Sequence, residues 1–416
     1  MTSHDRQRST NGDPRPVIEV RLDNPANGGA SVGRDSNGRA IFSEGGLPGE
    51  LVTVELAQQK KRFAKGRVID VLEPSSGRVE ARCATHNAGC GGCNMAHASS
   101  DLQRSIKQQV VIDSLTRIGG LDPELVTSAF IDPSESLALP ARYRTTVRAA
   151  LANGKAGYRR RSSHDTVNAS ECVVVHELLE DMLVNGRFGP DAGDEVVLRV
   201  SNLTGERHAL VNGDPAAVDL GDDVVIASRT QLDGGQPIQL TEHAGGRDWQ
   251  VSINSFFQAG PQVATALVDA VDRAVGDRTG STLVDAYSGI GLFAGTVGST
   301  ADTVLAVERS GSSTADARVN LADTNVEVIE SPVEEWRAVP ADIVIADPAR
   351  SGLAEAGVGA LMGTAADRFV LVACDTGSLG RDVGLLAKRG YGIDTIQIVD
   401  AFHDTSHVET IVGLSR

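Results

Sequence analysis

The stretch Leu283-Val284-Asp285-Ala286-Tyr287-Ser288-Gly289-Ile290-Gly291-Leu292-Phe293-Ala294 decides the fold. Apolar β-formers run into a glycine turn, and the turn runs into the start of a helix. Gly289 and Gly291 let the backbone turn tightly and approach a ligand where a side chain would clash. The next apolar run, Thr303–Val307, ends at Glu308, nineteen residues after Gly289. An acid there can accept hydrogen bonds from both ribose hydroxyls of a nucleoside. Taken alone, Gly289-x-Gly291-x-x-Ala294 also fits a dinucleotide fold, and a tight turn without a ligand is the plainest alternative. A dinucleotide domain usually begins near a chain start, whereas this strand follows a long N-terminal region.

Working outward, the strand rhythm continues through Asp342–Ala346, Phe369–Ala373 and Ile393–Val399, alternating with helical segments. This is an α/β pattern, a parallel, doubly wound sheet. Chemistry in such a sheet sits at the carboxyl ends of the strands. Three ends carry reactive groups: Asp347-Pro348-Ala349-Arg350, Cys374-Asp375, and the run from Phe402 to Thr410 that includes Glu409. A thiol and a carboxylate from a neighbouring strand suit nucleophilic catalysis with proton removal. A buried core cysteine is the bland reading of Cys374 and stands level with it.

Upstream, short strands at Val17–Leu22, Arg39–Phe42, Leu51–Leu56 and Gly66–Leu72 are separated by Gly-rich turns, which predicts a small β-barrel. A helix is predicted over 99–118, capped by Ser100 or Asp101, with Leu102, Ile106 and Val110 on one face. The region 128–240 is mixed and mostly strand-like. We expect a disordered tail over 1–16, the barrel over 17–75, a central region over 76–245 and the α/β domain over 246–416.

The 416 residues carry a net charge of −16, which argues against bulk attraction to nucleic acid. Basic residues are nevertheless clustered. Arg142, Arg144, Arg148, Lys155, Arg159, Arg160 and Arg161 fall in a stretch without an acid, and Lys60, Lys61, Arg62, Lys65 and Arg67 form a second group. Either is a phosphate-binding face or solvated surface. No apolar run is long enough for a membrane helix, and the polar start has no export signal, so a cytoplasmic protein is expected. The five cysteines are an odd count. With no export signal, they point to metal or catalytic use over disulfides. Cys83, Cys90 and Cys93 are clustered, and the fold could bring Cys172 to them. Four thiolates suit zinc or an iron–sulfur cluster.

Together these motifs resemble one family, the RNA 5-methyluridine methyltransferases that carry a TRAM domain. The resemblance rests on Asn254-Ser255-Phe256-Phe257-Gln258, Asp285–Gly291, Asp347–Arg350, Cys374-Asp375 with Leu379-x-Arg381-Asp382, and His407-Val408-Glu409-Thr410, in that order. Leu47-Pro48-Gly49-Glu50 in the barrel looks like TRAM. The resemblance implies a class I methyltransferase domain and S-adenosylmethionine as methyl donor, lined by Gln258, Tyr287, Gly289, Gly291, Glu308 and Asp347. It implies Cys374 as nucleophile and Glu409 as general base, acting on carbon 5 of a uridine. It favours a 4Fe–4S cluster over zinc on the four cysteines. It also implies a structured RNA substrate, ribosomal RNA ahead of transfer RNA, a monomer, and helix 99–118 packed on the catalytic domain. The sequence departs at Ala349, where the family has a second proline, and at Asp375-Thr376, where it has Asn-Pro. An ionised Asp375 beside the thiol is expected to raise its pKa. These departures keep one rival alive, an RNA-binding iron–sulfur relative without catalysis. A nicotinamide- or flavin-dependent oxidoreductase is the other.

Overall fold

The computed structural model describes residues 15–131, 141–161, 163–233 and 238–416. Nearly all of the expected disordered tail lies outside the described residues. The chain divides into two compact units at Arg78/Val79.

The first unit is a closed five-stranded barrel, with β1 Val17–Pro25, β2 Ala30–Arg34, β3 Ala40–Glu44, β4 Leu51–Gln59 and β5 Phe63–Glu73 in the order β1-β2-β3-β5-β4. Alternation puts Val20, Leu22, Ile41, Val52 and Val54 inside. Closure pairs every strand on both sides and leaves no edge. Strand β2 was not read from the sequence; it is short and holds a single large apolar residue, Val32. Glu50 is fully buried and receives the Arg78 guanidinium at 2.6 and 2.8 Å, which fixes the Leu47–Glu50 turn.

The second unit opens with the cysteine-bearing loop, followed by α1, Ser100–Arg117. Its cap is Ser99, whose side chain accepts from the Leu102 amide, one residue before the expected cap. The buried face is also rotated from the expected one. Gln103, Ile106, Lys107, Val111 and Ser114 face inward, while Leu102 and Val110 are only half-buried. Burial of Gln103 and Lys107 is possible because both have polar partners in the loop after residue 399. Lys107 Nζ donates to Asp400 at 2.5 Å, and Gln103 Nε2 donates to Asp404 at 2.9 Å. Ser114 Oγ donates to the Thr376 carbonyl, so the helix lies on the C-terminal α/β part of the chain.

A central six-stranded sheet follows, from β6 Thr146–Ala152, β7 Lys155–Arg159, β8 Thr166–Asn168, β9 Glu195–Val200, β10 Arg207–Val211 and β11 Val224–Ser228. Its order is β11-β10-β9-β6-β7-β8. The hairpin β12 Gln239–Ala244 and β13 Arg247–Ser252 leads to α2, Pro261–Val275.

The C-terminal sheet has seven strands among the described residues: β14 Thr282–Ala286, β15 Thr303–Glu308, β16 Val326–Glu330, β17 Ile343–Ala346, β18 Arg368–Ala373, β19 Gly392–Val399 and β20 Glu409–Ser415. Their order is β16-β15-β14-β17-β18-β20-β19. The first five run parallel, and β20 is antiparallel to both β18 and β19. The expected α/β class is borne out, with a reversed last strand added to the parallel rhythm. Helices α3 Leu292–Gly295, α4 Gly311–Asn320, α5 Ala354–Leu361 and α6 Thr376–Ala387 connect the strands. Among the described residues, no helix is long and apolar enough to cross a membrane.

Candidate active site

A cavity of about 870 Å³ in the second unit collects the ends of β14, β15, β17, β18 and β20. The glycine turn forms its floor. Ser288 donates its amide to the Val307 carbonyl at 3.1 Å, and Gly291 closes the turn on Ser288 at 2.9 Å. Gly291 sits at φ 91°, and an added Cβ would meet Leu321 Cδ1 at 2.6 Å. Tyr287 also holds a left-handed φ of 61°, which is strained for a residue with a bulky side chain. Beneath the turn, Asp285 is fully buried and accepts the Ala294 amide at 2.8 Å. Burial raises its pKa to about 8.

Glu308 ends β15 as the spacing suggested. One oxygen accepts from the Gly289 amide at 3.0 Å and the other from the Ser310 amide at 2.7 Å. Each oxygen keeps a lone pair for a ligand. Across the cavity, Gln258 donates to Asp347 at 3.3 Å. Asp347 is pushed up to about 7 by burial, against the Gln258 hydrogen bond. Tyr287 lines the cavity too, but its hydroxyl donates to Glu334 at 2.7 Å. It can thus offer a ligand its ring and backbone rather than that proton.

The strand register brings the thiol and the carboxylate together. Ala373 of β18 pairs with Thr410 of β20. Cys374 follows Ala373 and Glu409 precedes Thr410, so the thiol and the carboxylate flank the last pair of this ladder, and the charge on Glu409 acts on Cys374. Burial, then the nearby Glu409 and Asp347 carboxylates, push the Cys374 thiol up to about 12, and Arg350 opposes them. Burial first and Asp347 second raise Glu409 to about 8, again against Arg350. Glu409 Oε2 is buried with no hydrogen-bond partner among the described residues. The site therefore rests with a neutral thiol beside carboxyl groups that readily hold protons.

Asp375 does not act as expected. Its carboxylate caps α6, and the acids that raise the Cys374 pKa are Glu409 and Asp347. Arg350, the last residue of the Asp347–Arg350 motif, acts on both Cys374 and Glu409, a role the sequence does not reveal. Its only signal there is its place just beyond a strand end. Phe402 and His407 meet edge to face at 5.9 Å, with the Arg144 guanidinium 5.8 Å from the Phe402 ring. Phe256, 68% exposed, also lines the cavity.

Cys83, Cys90, Cys93 and Cys172 line the same cavity, and all are free thiols. Gly92 donates its amide to Cys90 Sγ at 3.4 Å, and Tyr158 Oη lies 3.6 Å from Cys172 Sγ. Burial raises Cys93 to about 12, helped by charge on Cys172, Asp404, Cys90 and Cys83. Among the described residues, however, no group of three or more His, Cys, Asp or Glu is arranged to hold a metal ion. The four cysteines share this lining but, among the described residues, do not form such a group.

Several residues of the basic stretch have internal partners. Arg142 pairs with Glu180 at 2.5 Å and Arg148 with Glu195 at 3.0 Å, while Arg160 donates to the Ala88 carbonyl at 3.1 Å. Arg159 and Arg161 remain exposed, as do Lys60, Lys61, Arg62 and Lys65 in the barrel unit.

Residues 14–69 match the TRAM domain family. The chain is 31% identical to an uncharacterized RNA methyltransferase of Streptomyces coelicolor, covering 95% of this chain and 92% of that one. It is 32% identical to another from Corynebacterium glutamicum, covering 95% and 96%. The fold resembles that of the Pyrococcus abyssi tRNA (uracil-54, C5)-methyltransferase, solved with S-adenosyl-L-homocysteine. The TM-score is 0.70 at 22% identity, covering 95% of this chain and 99% of that one. The barrel and the α/β sheet are the two parts of that fold, and the relatives are RNA methyltransferases by name. The chain belongs to the TRAM-containing RNA methyltransferases.

Proposed function

We propose that this RNA methyltransferase uses S-adenosylmethionine to methylate carbon 5 of a uridine through a covalent Cys374 adduct. The observation that carries this reading is that Cys374 and Glu409 flank the last pair of the β18–β20 ladder and line one cavity with Glu308, Gln258 and Asp347. The backbone at Gly289 and Gly291 admits the methyl donor, Glu308 takes its ribose hydroxyls, and Gln258, Tyr287 and Asp347 line the rest.

A uracil needs both reactive groups, because carbon 5 is a poor nucleophile in the intact ring. The Cys374 thiol loses its proton to water, and the thiolate adds to carbon 6 as the carbon 5–carbon 6 double bond opens to an enolate. Carbon 5 then takes the methyl group from the donor sulfonium. Glu409 removes the carbon 5 proton, the carbon 5–carbon 6 double bond re-forms, and the thiolate leaves. The exposed ring of Phe256 offers a stacking face for an unpaired base. Ribosomal RNA is the first-choice substrate and transfer RNA the second, with the enzyme acting as a monomer. Four unbridged thiols around one cavity support Cys83, Cys90, Cys93 and Cys172 as ligands of a 4Fe–4S cluster, with zinc as the alternative. Iron, sulfide and zinc assays on anaerobically purified protein separate these.

Nucleoside mass spectrometry of RNA from a deletion strain tests the main reading. It should show 5-methyluridine lost from one RNA and restored by the intact gene. Unchanged 5-methyluridine with another methylated nucleoside missing would overturn the uracil assignment.

A further inference from the structure

The segment 253–260 carries Phe256 and Gln258 yet has no regular secondary structure. Its backbone carbonyls need donors from elsewhere. One side chain on the central sheet serves the Ser255 carbonyl within the segment and the Ser252 carbonyl just before it. Arg199 of β9 is only 4% exposed. Its Nη1 donates to the Ser252 carbonyl at 2.7 Å, its Nη2 to the Ser255 carbonyl at 2.8 Å, and its Nε to Thr146 Oγ1 at 3.1 Å. The two acceptors flank the start of the segment.

The other side of the segment is fixed to α4. Asp316, fully buried, accepts from the Ser252 amide at 2.8 Å and from Ser252 Oγ at 2.6 Å. Ser255 Oγ lies 2.7 Å from Ser312 Oγ, which donates to Asn254 Oδ1 at 2.9 Å. Helix α4 follows directly from Glu308. The Arg199 fork and the α4 contacts therefore hold the segment that carries Gln258, which donates to Asp347.

An apolar side chain would fill the Arg199 site without the desolvation penalty of a buried charge. Burial lowers the Arg199 pKa to about 10, while Glu242 and Asp316 oppose the shift, so the guanidinium stays charged at neutral pH. A rigid planar fork that reaches two carbonyls at once is what arginine supplies and lysine does not.

We propose that Arg199 is a positioning residue for the cofactor end of the site: by tying the Ser252 and Ser255 carbonyls to the central sheet, it sets Gln258 against Asp347. The inference rests on the S-adenosylmethionine reading above. The test uses the full chain, with S-adenosylhomocysteine titrated by calorimetry and methyl transfer measured over a range of S-adenosylmethionine. Arg199→Met should weaken S-adenosylhomocysteine about tenfold or more, the scale of one lost charge-assisted hydrogen bond. Arg199→Lys, which keeps the charge and reaches one carbonyl, should fall between Met and wild type. The KM for S-adenosylmethionine should rise in the same order, with kcat within about twofold. If Arg199→Met does not fold, the lysine variant decides alone. Wild-type affinity in Arg199→Lys would overturn the inference. So would a parallel loss of RNA and cofactor binding that tracks the unfolded fraction. A wild-type chain that binds no S-adenosylhomocysteine would overturn the cofactor reading itself, and this inference with it.

Discussion

The Asp375 carboxylate accepts the Ser378 backbone amide at 2.8 Å, at the first turn of α6. An acid that looks from the sequence like a neighbour of the nucleophile is used to start the helix behind it. Asp375→Ala should therefore cost about 1 kcal/mol of stability, the usual value of an N-cap. Asp375→Asn, a comparable cap, should be near neutral. Urea denaturation checks both. The rate of adduct formation should stay within about twofold in Asp375→Asn, since the acids acting on the thiol are Glu409 and Asp347.

Cys374 and Glu409 should fail at different steps. Cys374→Ala should bind RNA without methylating or attaching it. Glu409→Gln should add, transfer the methyl group and stall. The stalled species is a denaturation-resistant protein–RNA band carrying label from the methyl donor. A full-speed Cys374→Ala enzyme would end the covalent mechanism.

The raised acids make two opposite pH predictions. Glu409 rises from 4.5 to about 8 and Asp347 from 3.8 to about 7, chiefly through burial. A folded-state pKa above the unfolded one gives stability that is complete below about pH 4 and lost as pH rises through 7–8. Glu409→Gln should thus raise Tm at pH 9 and leave it nearly unchanged at pH 4. Activity runs the other way. The base works as a carboxylate, so kcat/KM should climb through pH 8. Arg350 lowers both the Glu409 and the Cys374 pKa, so Arg350→Gln should move that climb to higher pH.

Lys107 and Asp400 form an ion pair in which each side chain is 1% exposed. Lys107→Met strands a buried carboxylate and should cost about 3–5 kcal/mol. The double variant Lys107→Met with Asp400→Leu should recover most of that loss in urea unfolding. Lys107 Nζ also donates to the Phe402 carbonyl at 3.0 Å, so methyl transfer should not recover to the same degree.

Arg159, Arg160 and Arg161 lie against the cysteine loop, with the Gly91 amide donating to the Arg159 carbonyl at 3.0 Å. If they contact RNA phosphates, neutralising all three should weaken binding and flatten its salt dependence by about one unit of slope per lost contact. An unchanged slope measured by filter binding returns them to solvated surface.

What the sequence made legible was local. The glycine turn, Glu308, Asp347 and Cys374 each sit within a few residues of a strand end, and strand patterning finds strand ends. What it hid depends on distant partners. Gln103 and Lys107 look like a solvent face until Asp400 and Asp404 lie opposite them. Arg199 looks like an exposed strand residue until the Ser252 and Ser255 carbonyls are in place. Strand β20 was missed because His407–Thr410 reads as a polar loop carrying a motif, and only its pairing on both sides buries it. Asp375 was misjudged because adjacency in sequence says nothing about which way a cap residue turns.

Strand β20 slots between β18 and β19, which precede it in the chain, and Glu409 is its first residue. A chain lacking this strand loses a wall of the cavity and the base in one stroke. Under the proposed mechanism the release step and the completed site then arrive together, so a half-assembled chain is expected to be inert rather than joined to its RNA. Quality control by the cell would meet an unpaired sheet edge in such a chain, not a locked protein–RNA conjugate.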